Sequence, residues 1–460
     1  MKKDVSSSDS VIREVSSYIS RNAEAKLPAE VITKTKHHIM DTLAAMVSGS
    51  KLKAGQVAIK YANDQGGVPE AQVVGSQTVT SAVNAALANG LMAHADETDD
   101  SHAKSHTHPG CAIVPAALAM SEREEADGMS FLKAVVVGYD IGCRITQALG
   151  VDNIRQVFRS THSMGGVFGA AAAAAAIARL ENQKVNYILS YTAQQAAGLT
   201  YWVRDNDHIE KAFVFGGMPA RNGVTAATLI QSGFTGVLDP FSGERNIFEV
   251  FSSPRLSPQL LTEELGSHYE IMFTNIKKFS VGSPIQAPLQ ALLLLIEKHR
   301  LASKDVKSIT VRLGDRWSSK TVNDRAMPDI NLQHILAVTL LDGDLTFATA
   351  HSRERMNDPV VLELKRCIKL VVDPELVAAK IKRQGIVDVT TKDGGQLREH
   401  VVSVRGTVEN PMTTEEVEKK CQDLLIPVLG EERSQELINR IWNLEQVKNV
   451  RELRPLLSAP

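Results

Sequence analysis

Between His94 and Gly110 the chain carries four carboxylates, Asp96, Glu97, Asp99 and Asp100, and four imidazoles, His94, His102, His106 and His108. Like charges this close repel one another and displace proton affinities, so the stretch suits proton transfer or metal binding better than a purely structural loop. A solvated acidic loop is the plain alternative. Against it, the flanking segments 81–93 and 111–120 are apolar and Ala-rich, and they predict buried helices with the cluster at their junction. His102 and His106 lie four apart and would share a helical face, which makes a zinc or Mg²⁺/Mn²⁺ site a rival to acid–base use. Pro109 and Gly110 disfavour helix at His108 and favour a turn that projects its imidazole from a fixed backbone.

Further candidates lie downstream. His162 precedes a small-residue run, so it is expected at a helix N-terminus, where the dipole would lower its pKa and favour an anion beside Arg159 and Ser160. A satisfied structural histidine is the bland reading. Lys211 is a lone charge entering an apolar, glycine-rich segment, and suits an anion-binding cation or an acid; a surface lysine is the alternative. Lys277 and Lys278 fall where the sequence pattern changes, a common place for a cleft, though a solvated pair would read the same way. His334 opens an apolar helical stretch and fits a core role as well as a catalytic one.

The elements that must position these groups follow from periodicity. The 460 residues are 43% hydrophobic, more than one core usually holds, and two domains are expected. From residue 9 to about 265 the pattern is helical: Val31, Thr35, Ile39, Leu43 and Val47 recur on one face after Pro28, and segments 131–149 and 165–180 repeat the theme. Residues 286–299 predict another apolar helix. Past about 303 β-branched runs appear at 308–313 and 368–372, and 386–391 and 397–404 flank Lys392-Asp-Gly-Gly395 as a hairpin. Beyond Asn410-Pro411 the chain turns helical again from Thr413. The expected fold is mainly α: a large all-helical domain from residues 1–265 and 408–460, and a smaller inserted α+β domain over 266–407.

With 51 basic and 53 acidic side chains in no long blocks, no field favours nucleic acid or an anionic membrane. The N-terminus lacks the apolar core of a signal peptide and no run approaches a membrane span, so a cytoplasmic location is expected. Cys111, Cys143, Cys367 and Cys421 are widely spaced and read as buried thiols. No glycine fingerprint for a dinucleotide or a P-loop follows a strand.

Asp41-Thr-Leu-Ala-Ala, Asp99-Asp100-Ser101-His102, His108-Pro-Gly-Cys-Ala-Ile-Val-Pro-Ala-Ala-Leu-Ala, Arg159 to Gly169, Leu340-Leu-Asp-Gly343 and Asn410-Pro-Met-Thr413 stand in order along almost the whole chain. Together they resemble the MmgE/PrpD family of 2-methylcitrate dehydratases, cis-aconitate decarboxylases and iminodisuccinate epimerases. That resemblance implies a homodimer, an inserted lid domain and a site between the domains. It also implies Glu97, Ser101 and His108 from the first motif, His162 before the small-residue helix, and Lys211 and Lys277 as the two lysines. Asp100, Arg159 and His334 are expected to meet substrate.

The implied chemistry is cofactor-free: a histidine, His162 or His108, moves a proton at carbon beside a carboxylate while the lysines hold the anion. Loss of water from a small di- or tricarboxylate is the expected reaction, with decarboxylation or epimerisation as alternatives and a non-catalytic metal-binding protein as a further one. Ser101 orients rather than attacks, since no GxSxG elbow surrounds it. Glu97 stands where the family often has Asp, His334 where it often has Tyr, and the segment after Lys211 is one residue longer, which implies a different pocket.

Overall fold

The stretch that carries the cluster is held between two buried helices, Ala82–Ala93 and Gly110–Arg123. The computed structural model describes residues 8–251, 257–314, 316–381 and 383–459. Residues 1–7, most of the segment read as lacking a signal core, lie outside the described residues. Two compact units emerge: residues 1–95, 99–275 and 424–460 form the first, and residues 96–98 and 276–423 the second.

In the first unit, Pro28 caps the helix Ala29–Gly49, whose expected stripe is buried. From Thr35 to Gly49 every residue of that helix is buried, so it lies inside the bundle rather than on its surface. The Ala-rich helix Thr161–Ile177 is buried along its whole length. It packs on Gly128–Leu149 at backbone distance, because a Cβ on Gly142 would stand 2.6 Å from the Gly165 carbonyl oxygen, and one on Gly165 would stand 2.7 Å from that of Gly142. Residues 209–231 run as helix with one π turn, Phe213–Gly217. A π turn is how an α-helix accommodates one extra residue, and it falls within the segment whose length departs from the family pattern. Gly90 lets Ala82–Ala93 approach this turn, since its Cβ would lie 2.5 Å from the Gly216 carbonyl oxygen.

His102 and His106 do not share a helical face. Strand Ser101–His102 pairs antiparallel with Thr274–Asn275, and reciprocal backbone bonds between His102 and Thr107 close a turn in which His106 adopts φ 52°. The pairing with Thr274–Asn275 places residues up to 275 with the first unit, where the sequence reading put the change at 265/266.

The second unit is built on a four-stranded sheet in the order Ile368–Val372, Val306–Leu313, Gly385–Thr391, Gln396–Val401, with the first pair parallel and the others antiparallel. The hairpin over 392–395 turns at Gly394, φ 95°, and its second strand ends at Val401, short of the expected 404. Leu292 and Leu295 of helix Gln286–His299, Ile335 and Leu336 of helix Leu332–Asp342, and Ile309, Val311, Val387 and Val389 of the sheet share one core. Thr413 and Glu416 cap helix Thr414–Leu429 reciprocally: the Glu416 amide donates to Thr413 Oγ1 at 3.3 Å and the Thr413 amide to the Glu416 carboxylate at 2.9 Å. Arg405 on Glu416 and the Phe347 amide on Asp423 tie the first ten residues of this helix to the second unit, and that unit ends at 423 rather than 407.

Cys111, Cys143 and Cys421 are buried thiols, whereas Cys367, at the edge of the sheet, is half-buried. Among the described residues no helix is long and apolar enough to cross a membrane.

Candidate active site

The first unit gathers three imidazoles, His94, His108 and His162, around the Phe215 ring, which the π turn presents. His162 stacks on that ring at 3.8 Å and 15°, and His94 at 4.3 Å and 13°. Two near-parallel rings this close would overlap on one face, so they occupy opposite faces. His108 meets Phe215 edge-on at 5.4 Å and lies 5.2 Å from both His94 and His162. His208, in a left-handed backbone conformation at φ 59°, adds a ring 5.2 Å from His94, and Trp202 packs edge-on against Phe215 at 4.8 Å. Lys211 Nζ lies 5.3 Å from the centroids of both the Trp202 and the Phe215 rings, within cation–π range.

His162 is the second residue of its helix, beside the N-cap Ser160, whose hydroxyl accepts from the Ser163 amide. The ring is buried, and its Nδ1 has no hydrogen-bond partner among the described residues. Burial, then the neighbouring His108, His106 and His94 and the Lys211 ammonium, hold its pKa well below 6.5. The expected lowering is present, but burial leads it rather than the helix terminus. A buried imidazole kept neutral in this way can accept a proton at pH 7.

His108 is aimed by Asp99, whose Oδ1 accepts from its Nδ1 at 3.1 Å, while Asp99 Oδ2 accepts from His94 Nδ1 at 2.9 Å. Asp100 is already engaged: it accepts from His38 Nδ1 at 2.8 Å, the Tyr139 hydroxyl at 2.6 Å and the Gly110 amide at 3.0 Å. With those donors its carboxylate anchors the loop. His102 does likewise, through Ser105 Oγ at 2.7 Å and Glu270 Oε2 at 3.0 Å. Ser101 is half-buried in its short strand opposite Asn275, and the Arg159 guanidinium lies over the Phe251 ring at 4.4 Å.

The other expected residues belong to the second unit. Buried Lys277 donates from Nζ to the Glu97 carbonyl oxygen at 2.8 Å and stands 3.6 Å from the Glu97 carboxylate. Lys420 Nζ donates to the Thr98 carbonyl at 3.0 Å and His351 pairs with Asp96 at 2.8 Å, so residues 96–98 are pinned there by three side chains. His334 is buried near the start of helix Leu332–Asp342; burial, then Lys365 and Arg355, lower its pKa to about 4. Neither of its ring nitrogens has a hydrogen-bond partner among the described residues.

His94, Asp99 and Cys111 bring one potential metal-ligand atom each within 4.8 Å of one another. Both Asp99 oxygens already accept from imidazoles, so the set reads as a hydrogen-bonded cluster. Sequence reasoning named Asp99 as one of four candidate carboxylates without giving it a role of its own, and passed over Phe215, Trp202 and His208. Only Phe215 carried a signal, through the unusual length of its segment.

Two family models match successive parts of the chain. The MmgE/PrpD N-terminal domain model matches residues 13–259, and the MmgE/PrpD C-terminal domain model matches residues 279–446. The chain is 25% identical to a cis-aconitate decarboxylase-like protein, oryM, of Aspergillus oryzae, over 98% of this chain and 97% of that protein. It is 24% identical to a cis-aconitate decarboxylase of Aspergillus terreus, over 99% and 98%. With family matches covering both parts of the sequence, the chain belongs to the MmgE/PrpD family.

Proposed function

We propose that the protein is a cofactor-independent lyase that removes a proton from carbon beside a carboxylate of a small di- or tricarboxylate and expels water. The observation that carries this reading is His162: a buried, neutral imidazole stacked on a ring whose centroid lies 5.3 Å from the Lys211 ammonium. Elimination needs a base and a cation in one place, because the carbanion formed as the C–H proton leaves is an enediolate that must be stabilised as it develops.

In this reading His162 takes the proton, with His108 as the alternative base, and Lys211 and Lys277 bind carboxylate groups and the developing charge. Glu97 supplies the acid for the departing hydroxyl, and Ser101 orients it. Arg159 adds charge for the substrate, whereas His334, held neutral, would offer a hydrogen bond. Asp100 serves the loop rather than the substrate, because three donors already occupy it. A homodimer and a cytoplasmic location belong to the same proposal.

A second reading, loss of CO₂ from a tricarboxylate, is favoured by the names of the Aspergillus relatives. Chelator-treated protein incubated with 2-methylcitrate and cis-aconitate, followed by mass analysis of the products, separates the two. Loss of one water from the hydroxy acid, abolished in His162→Ala, supports elimination. Loss of CO₂ from cis-aconitate alone replaces it with the second reading, and no turnover of any small carboxylate overturns both.

A further inference from the structure

Asp99 is fully buried, and its two oxygens are divided between two imidazoles, His108 Nδ1 on Oδ1 and His94 Nδ1 on Oδ2. An ionised carboxylate can only accept, so both Nδ1 atoms must carry hydrogen. A neutral imidazole that donates through Nδ1 keeps its lone pair on Nε2. His94 shows the consequence: its ring is buried, and its Nε2 has no hydrogen-bond partner among the described residues. Stacking on Phe215 fixes the plane of that ring, so the unpartnered nitrogen has a defined direction.

We propose that Asp99 is a shared positioning residue, which locks His94 and His108 together in the Nδ1–H tautomer and makes His94 a further imidazole of the site, with its Nε2 held ready to accept from a ligand. This rests on the acid–base reading above, and it adds a residue to it. The pairing explains why the stretch holds more acids and histidines than one reaction needs. Asp100 and His102 anchor the loop, whereas Asp99 sets which nitrogen of two separate imidazoles is basic. Cys111 supports the same geometry by donating from Sγ to the His108 carbonyl at 3.1 Å.

The test is nitrogen NMR of the full chain labelled with [¹⁵N]histidine, which reads the tautomers without reference to activity. The expected result is an exchange-protected Nδ1–H imidazole at each of His94 and His108, assigned by loss in single variants and told apart in that way from His38, which donates from Nδ1 to Asp100. Asp99→Asn offers one acceptor and one donor in place of two acceptors, so one of the two imidazoles must switch to the Nε2–H form. His94→Asn places an amide donor toward Asp99 and should leave the His108 signal alone. An Nε2–H tautomer at either ring in the unsubstituted protein, or both Nδ1–H signals surviving Asp99→Asn, overturns the proposal. On the substrate that the unsubstituted protein turns over, Asp99→Asn should lower kcat by roughly 10²–10⁴-fold with little change in KM, the pattern of a wrong tautomer. An unchanged kcat would also overturn it. Absence of turnover would sink the lyase reading alone, since the NMR result still decides the tautomers.

Discussion

Replacing Phe215 with leucine removes the ring on which the site is organised while keeping most of its volume. Phe215 is 2% exposed and makes four aromatic contacts, with His162 at 3.8 Å, His94 at 4.3 Å, Trp202 at 4.8 Å and His108 at 5.4 Å. Each such pair contributes about 0.5–1.5 kcal/mol beyond area burial, but the four share one ring and do not add in full. Full truncation of a buried Phe to Ala costs about 3–5 kcal/mol, so the leucine variant, which refills most of the space, should lose about 2–3 kcal/mol. In a chain of this size that lowers the midpoint of thermal unfolding by roughly 2–3 °C.

The effect on catalysis should be larger than the effect on stability. Without stacking, His162 and His94 lose the surface that fixes their planes, and misplacement of a reacting group by about 1 Å costs roughly 10²-fold in rate. Thermal unfolding and steady-state kinetics on the same preparation test both halves. A kcat within a few-fold of the unsubstituted protein, measured on folded variant, would refute the claim that this ring positions the imidazoles. An unchanged unfolding midpoint would refute its place in the packing.

The pair His351–Asp96 predicts a pH dependence of stability. Burial opposes the charge on His351, but the Asp96 carboxylate and then Asp329 raise its pKa to about 9 from an ordinary 6.5. A pKa raised in the folded state gives stability that is fully present below about pH 6.5 and lost as pH rises through about 9, up to roughly 3 kcal/mol, shared with Asp96 and counted once. Denaturant unfolding from pH 6 to 10 should show this decline, and Asp96→Asn should flatten it; an equal slope in both proteins contradicts the pairing. Gly142→Ala drives a methyl to 2.6 Å from the Gly165 carbonyl and should destabilise by about 1–3 kcal/mol in the same assay, whereas a neutral result would remove the close helix approach. Lys211→Met should raise KM for a dicarboxylate by roughly 10–100-fold, as loss of one charge-assisted contact requires; an unchanged KM would place the lysine outside the binding site.

Much of the helical scaffold was legible in the sequence because its determinants are local. The Ala-rich run, the stripe after Pro28 and the turn residues Lys392 to Gly395 each fix their own backbone, and their elements form where periodicity puts them. The cluster at residues 94–110 was legible as a place, but its division of labour was not. Asp99 and Asp100 are adjacent and chemically identical, yet one joins two site imidazoles and the other is taken up by His38, Tyr139 and a backbone amide. That difference depends on a helix some 60 positions upstream and another about 40 downstream, and no spacing rule reaches so far. The helical face expected for His102 and His106 failed for a related reason: pairing with Thr274–Asn275 turned the segment into a hairpin. Phe215 was hidden because a π turn breaks the very periodicity by which helical faces are read.

A neutral imidazole that takes a proton from carbon leaves its mark in the fate of that hydrogen. A hydroxy-tricarboxylate carrying deuterium at the carbon beside its carboxylate, turned over by chelator-treated protein, should lose the label to solvent as water leaves, with a primary isotope effect on kcat/KM and no reaction in His162→Ala. Deuterium retained at that carbon in the dehydrated product, or full turnover by the alanine variant, would rule out proton abstraction by His162.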